Sequence, residues 1–170
     1  MHRSLLLGAL LLSVAAAPAR AQLPIQIGFN GGTAVPVRNE KDNFNAGFHF
    51  GATAKVILIP LQIDAAIDHM GGTTSTTNPT AKDLNIASAG VSVPISLTPP
   101  LLPFGVYLIG GAGLYHHKST ISHTDTGLNA GAGVRLGIPG VHLFAEGRGV
   151  AVLATGNKLT YMTAALGIRF

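Results

Sequence analysis

Apolar and polar side chains alternate in one segment after another of this chain. Phe44, Ala46, Phe48, Phe50, Ala52, Ala54, Val56 and Leu58 share one parity, and Asn45, Gly47, His49, Gly51, Thr53 and Lys55 share the other. Successive side chains of an extended strand point to opposite faces, so this segment predicts a strand with one apolar face and one polar or small face. Leu61, Ile63, Ala65 and Ile67 stand in the same way against Gln62, Asp64, Ala66 and Asp68. At the end of the chain, Thr160, Met162, Ala164, Leu166, Ile168 and Phe170 stand against Tyr161, Thr163, Ala165, Gly167 and Arg169. Helical spacing of apolar residues is hard to find after Gln22, and so is a run long enough for a transmembrane helix.

Carried along the chain, the pattern predicts eight strands: Leu23 to Val35, Phe44 to Leu58, Leu61 to Met70, Leu84 to Ile95, Phe104 to His116, Gly127 to Leu136, Val141 to Leu153 and Leu159 to Phe170. The connections between them alternate in character. Pro36 to Asn43, Gly71 to Asp83, His117 to Thr126 and Ala154 to Lys158 are polar and mostly long. Ile59-Pro60, Ser96 to Pro103 and Gly137 to Gly140 are short or bounded by proline. Pro60, Pro94, Pro99, Pro100, Pro103 and Pro139 are expected at strand ends, where no ladder hydrogen bond is lost. Long connections at one end and short turns at the other are the pattern of a membrane barrel. A sheet facing lipid must leave no edge of unpaired backbone groups, and closure removes the edge. The expected fold class is therefore all-β: an eight-stranded antiparallel up-and-down transmembrane β-barrel, with both chain ends on the periplasmic side.

Composition favours this over a soluble, lipocalin-like barrel. Only 11% of residues are charged, too few to cover the outside of a soluble β-protein. The first residues read as a cleavable signal peptide over 1–21. Arg3 supplies the positive start, Leu5 to Val14 the apolar stretch, and Ala19-Arg20-Ala21 a small-x-small cleavage site. The barrel domain would then occupy 22–170, and the formal charge of +4 would fall to about +2 with the loss of Arg3 and Arg20. That small excess, without basic blocks interleaved with aromatics, points away from a nucleic-acid partner. With no cysteine in the chain, disulfides, thiol catalysis, cysteine-ligated zinc and a lipoprotein anchor are excluded. No cofactor is expected.

Several segments together resemble the small outer-membrane β-barrel proteins of the OmpA, OmpX and opacity-protein type. They are the export signal, Ile27-Gly28-Phe29-Asn30-Gly31-Gly32, Gly110-Gly111-Ala112-Gly113, Phe144-Ala145-Glu146-Gly147-Arg148 and the terminal Leu166-Gly167-Ile168-Arg169-Phe170. The resemblance covers nearly all of the mature chain. It implies a monomer inserted in the outer membrane of a Gram-negative-type bacterium, in contact with the lipid bilayer and lipopolysaccharide. It also implies that Phe170 is the signal read by the outer-membrane assembly machinery. The chain departs from the family in two ways. It has no tryptophan and three tyrosines, so aromatic girdles are sparse. No peptidoglycan-binding module follows Phe170, so the barrel is expected to stand alone.

Candidate chemistry lies on the face opposite the apolar one. His49, Lys55, Asp64, Asp68, Arg135, Glu146, Arg148 and Arg169 are expected to point into the lumen and to pair as a structural charge network, because a stranded charge in a narrow barrel is costly. Arg135 and Arg148 are expected to flank Glu146. Inward glycines such as Gly28, Gly47, Gly51, Gly111, Gly113, Gly131, Gly133 and Gly167 leave room for a water-filled cavity, although an eight-stranded barrel is only wide enough for its own side chains.

His116, His117 and His123 with Asp125 carry metal-ligating groups on the third outer connection, but in no strong spacing, and solvated histidines are the simpler expectation. His117-Lys118-Ser119 is similar to the His-x-Ser pair of the barrel-shaped lipid A deacylases, which implies acyl hydrolysis. The carboxylate such a site needs belongs at the outer end of a neighbouring strand, whereas Glu146 lies within the span. Thr73 to Thr77 reads as a solvated loop. The expected function is thus non-enzymatic: a rigid barrel presenting surface loops for envelope or extracellular contacts. A narrow channel for small solutes or ions is the alternative, and an outer-leaflet lipid A hydrolase the third reading.

Overall fold

The computed structural model describes residues 25–37, 42–56, 59–73, 82–99, 102–119, 121–138, 140–153 and 158–170. Eight strands follow one another: β1 (Ile25–Pro36), β2 (Gly47–Val56), β3 (Leu61–Met70), β4 (Leu84–Ser96), β5 (Phe104–Lys118), β6 (Ser122–Ile138), β7 (Val141–Val152) and β8 (Leu159–Arg169). Each is antiparallel to both neighbours, and β1 pairs with β8 to close the barrel. Phe170 extends that seam. Its amide donates to the Ile27 carbonyl at 2.8 Å, and the Ile27 amide donates to the Phe170 carbonyl at 3.2 Å. The expected signal segment 1–21 lies outside the described residues, as do 74–77 of the threonine-rich connection.

The two ends of the barrel differ. Ile25, Val56, Leu61, Phe104, Ile138, Val141 and the C-terminus gather at one end, here called the turn end, where β6 and β7 are joined by only two residues. Gly140 sits there at φ 84°, a left-handed conformation that glycine adopts without a Cβ clash. The opposite, loop end carries the β1–β2, β3–β4, β5–β6 and β7–β8 connections.

Alternation sets the faces. Phe50, Ile63 and Leu166 are 56%, 56% and 72% exposed on the outside, whereas Gln62, Asp68 and Tyr161 on the opposite parity are buried inside. An outer surface of isoleucine, leucine, valine and phenylalanine cannot be stable in water over so large an area, and it matches a hydrocarbon solvent.

Three details differ from the sequence expectation. Strand β6 begins at Ser122, so β5 and β6 form one long hairpin with a three-residue connection instead of an extended third loop. The ladder continues beyond the apolar band on polar pairs: His116 bonds to Thr124 Oγ1 (2.8 Å) and Ser122 Oγ (2.9 Å), and His117 to Asp125 (2.9 Å). Phe44 belongs to no apolar outer face. It forms an isolated bridge with Gly72 and packs on the interior cluster, because the strand proper starts only at Gly47. Pro94 lies within β4, opposite Ile109.

Candidate lumen site

The inward side chains form three layers along the barrel axis. At the loop end, Met70, Ile86, Tyr115, Val152, Leu159 and Tyr161 are buried against one another, with Phe44 on top. This is an apolar stopper inside the barrel. It accounts for two of the three tyrosines, and Tyr107 is buried inside as well, so none is available for a membrane-interface girdle.

Below the stopper lies the charged layer. Asp68 accepts from His49 Nδ1 at 2.6 Å and from the Tyr161 hydroxyl at 2.9 Å, while His49 Nε2 contacts Asn30 Oδ1 at 2.9 Å. Arg148 joins two carboxylates: its Nε donates to Glu146, and its Nη2 donates to Asp64 at 3.2 Å. Glu146 also accepts from the Tyr107 hydroxyl at 2.8 Å, and Asp64 from Gln62 Nε2 at 2.6 Å and from the Ser92 hydroxyl. Each of these carboxylates therefore has at least two donors, which is what makes burial of the charge tolerable.

The remaining cations do not join them. Arg135 is opposite Phe144 on β7, whereas Glu146 is opposite Gly133. The expectation that Arg135 flanks Glu146 is therefore corrected by register: Arg135 lies nearer the turn end and donates to Ser96 Oγ at 3.2 Å. Arg169 donates to Gln62 Oε1 at 2.8 Å, with its guanidinium 5.1 Å from the centre of the Phe144 ring. Lys55, Arg135, Arg169 and His142 line a vestibule of about 330 Å³ at the turn end.

The inward glycines do not open a cavity through the barrel. Rings lie across them: Tyr107 over Gly133, Tyr115 over Gly127 and Phe144 over Gly167, in each case where a Cβ would stand. Gly51 accommodates the Asn30 amide and Gly131 the Arg148 stem in the same way. The missing Cβ atoms let large side chains lie flat in a narrow barrel. Only about 60 Å³ remains around the charged layer.

At the loop end, His117 and Asp125 face inward, and His123 lies across from His117 with ring centres 5.9 Å apart. His116 is on the outer face. Among the described residues no group of three His, Asp or Glu side chains is arranged to hold a metal ion. Asp125 is the carboxylate beside His117, brought there because β6 begins at Ser122 and pairs with β5 past the apolar band. Among the described residues, however, His117 makes its side-chain hydrogen bond to Asp125, and none joins it to Ser119. A nucleophile and base in contact are absent there.

No protein-family model matches the chain, and no curated protein matches it. Solved structures do. Neisserial surface protein A superimposes with a TM-score of 0.62 at 15% identity, over 86% of this chain and 96% of that one. The N-terminal β-barrel domain of Pseudomonas aeruginosa OprF gives 0.54 at 14% identity, over 86% and 96% respectively. At such identities the likeness concerns the fold: this chain has the fold of the small eight-stranded outer-membrane β-barrels.

Proposed function

We propose that the chain is a non-enzymatic outer-membrane protein whose barrel is a rigid mount for the connections at its loop end, with the turn end and both termini on the periplasmic side. The observation that carries this reading is the filled lumen. A path through the barrel would have to displace Tyr161, Met70 and Val152, which are almost wholly buried, and then cross carboxylates already saturated with donors. The difference between short turn-end and longer loop-end connections supports the orientation. His116 and Lys118, exposed on the outer face at the loop end, stand where the anionic groups of lipopolysaccharide would meet the barrel. Phe170, exposed beside the seam, is where assembly machinery would read the last strand. The barrel works as a monomer in this reading, since closure leaves no strand edge to pair.

Two measurements test it. An epitope inserted between residues 74 and 80 should be accessible to antibody on intact cells, and one appended after Phe170 should not. Purified protein in planar bilayers should show no steady single-channel conductance; steady conductance would refute the closed lumen and favour the channel.

A further inference from the structure

We propose that the turn-end vestibule is a binding site for a phosphate-bearing anion. Lys55, Arg135 and Arg169 converge there with His142, and among the described residues that line it there is no carboxylate. Among the described residues none of these three cations makes a salt bridge; Arg148 and the histidines His49 and His117 make the ion pairs that exist. The carboxylates that might have served them are committed elsewhere, each with at least two donors in the layer above. The lumen thus separates its charges, although an eight-stranded barrel offers room for pairing and like charges in a half-enclosed space repel.

A second observation points the same way. Arg169 Nε and His142 Nδ1 are buried and lack a hydrogen-bond partner among the described residues. Arg169 Nε is a donor in every state and buried donors are ordinarily satisfied, so the guanidinium lining this polar cavity is one acceptor short. The guanidiniums are also held in place: Arg135 on Ser96, Arg169 on Gln62 and against Phe144. These contacts use one Nη2 donor of each, leaving most of each fork for an oxyanion, and guanidinium forks match phosphate oxygens in geometry. A volume of about 330 Å³ exceeds what inorganic phosphate needs and suits a phosphate with a small polyol attached. Such a group has two sources, a soluble phosphomonoester in the compartment at the turn end or a phospholipid headgroup.

The test uses the protein purified from outer membranes in maltoside detergent and titrated with glycerol 3-phosphate, followed by backbone amide NMR. Saturable shifts confined to the turn end are expected, with none from glycerol and none from chloride at equal ionic strength. Lys55→Gln combined with Arg135→Gln should weaken the response by about tenfold or more, and retained heat-modifiable migration would show that this variant is folded. If that variant does not fold, Lys55→Gln alone, whose side chain makes no hydrogen bond among the described residues, should still weaken it measurably. Repeating the titration in phosphatidylglycerol nanodiscs separates the sources. Shifts that persist identify a soluble phosphate, and shifts abolished there identify a headgroup already seated. Absence of saturable shifts in detergent up to about 20 mM, or an unchanged response in the folded variants, would overturn the proposal.

Discussion

Arg148 is the residue on which the charged layer turns, and its removal makes a quantitative prediction. Its guanidinium joins Glu146 on its own strand to Asp64 on β3, and the side chains of the three are 13%, 6% and 18% exposed. Arg148→Met keeps most of the stem packed on Gly131 but leaves two carboxylates facing one lumen with only neutral donors: Tyr107 for Glu146, Gln62 and Ser92 for Asp64. Breaking a buried pair from one side costs about 3–5 kcal/mol, and that is the loss expected. Glu146→Gln should cost less, about 1.5–3 kcal/mol, because Arg148 keeps Asp64 and the amide oxygen still accepts one hydrogen bond. The double variant should fall short of the sum by about 1–2 kcal/mol, since Arg148→Met then strands one carboxylate instead of two.

Equilibrium urea unfolding in phosphatidylcholine liposomes measures these differences. With no tryptophan in the chain, far-UV circular dichroism or the migration of unboiled samples must report the folded fraction. An Arg148→Met barrel within about 0.5 kcal/mol of wild type would mean that the lumen is wet enough to screen the pair. Glu146→Gln proving the worse of the two would mean that the Asp64 contact carries nothing.

Three further perturbations address other layers. Gly133→Ala places a methyl group in the ring of Tyr107 and should cost about 1–3 kcal/mol in the same unfolding assay, whereas Gly110→Ala, whose nearest neighbour is the Asn129 carbonyl at 3.9 Å, should be neutral; equal effects would undo the ring-on-glycine account. Leu108→Arg, on the outer face and 47% exposed, should cost about 2–4 kcal/mol if that face meets hydrocarbon near the midplane, and an unperturbed urea midpoint would place the residue in water. Phe170→Asp should leave export intact and lower the folded fraction in isolated outer membranes, and equal yields from mutant and wild type would remove Phe170 from the assembly signal.

The faces of the barrel were legible because alternation is a local property: each strand declares its inside and outside without reference to any other, and Gln62, Asp64 and Asp68 lie inside as their parity requires. Strand ends were less so. Beyond Thr126 the apolar signal stops, yet β5 and β6 remain paired through histidine, threonine, serine and aspartate side chains that read as a loop. The charge layout was not legible at all beyond its facing. Parity says that Arg135 and Glu146 share the lumen, but only the ladder says at what depth, and Asp64 meets Arg148 across 84 residues while Arg169 meets Gln62 across 107.

That depth information changes what the lumen means. Had the cations and carboxylates been interleaved, the interior would have been explained by pairing alone, and every charge would have been structural. Instead the carboxylates are saturated around Arg148 and His49, and the glycines that looked like empty space carry the rings of Tyr107, Tyr115 and Phe144. Cost therefore accumulates at the turn end, where three cations face a cavity that no carboxylate among the described residues lines. A barrel that served only as a mount could have placed glutamine at Lys55 or Arg135 with less repulsion. The positive charge there is accounted for by something outside the chain that carries the opposite sign.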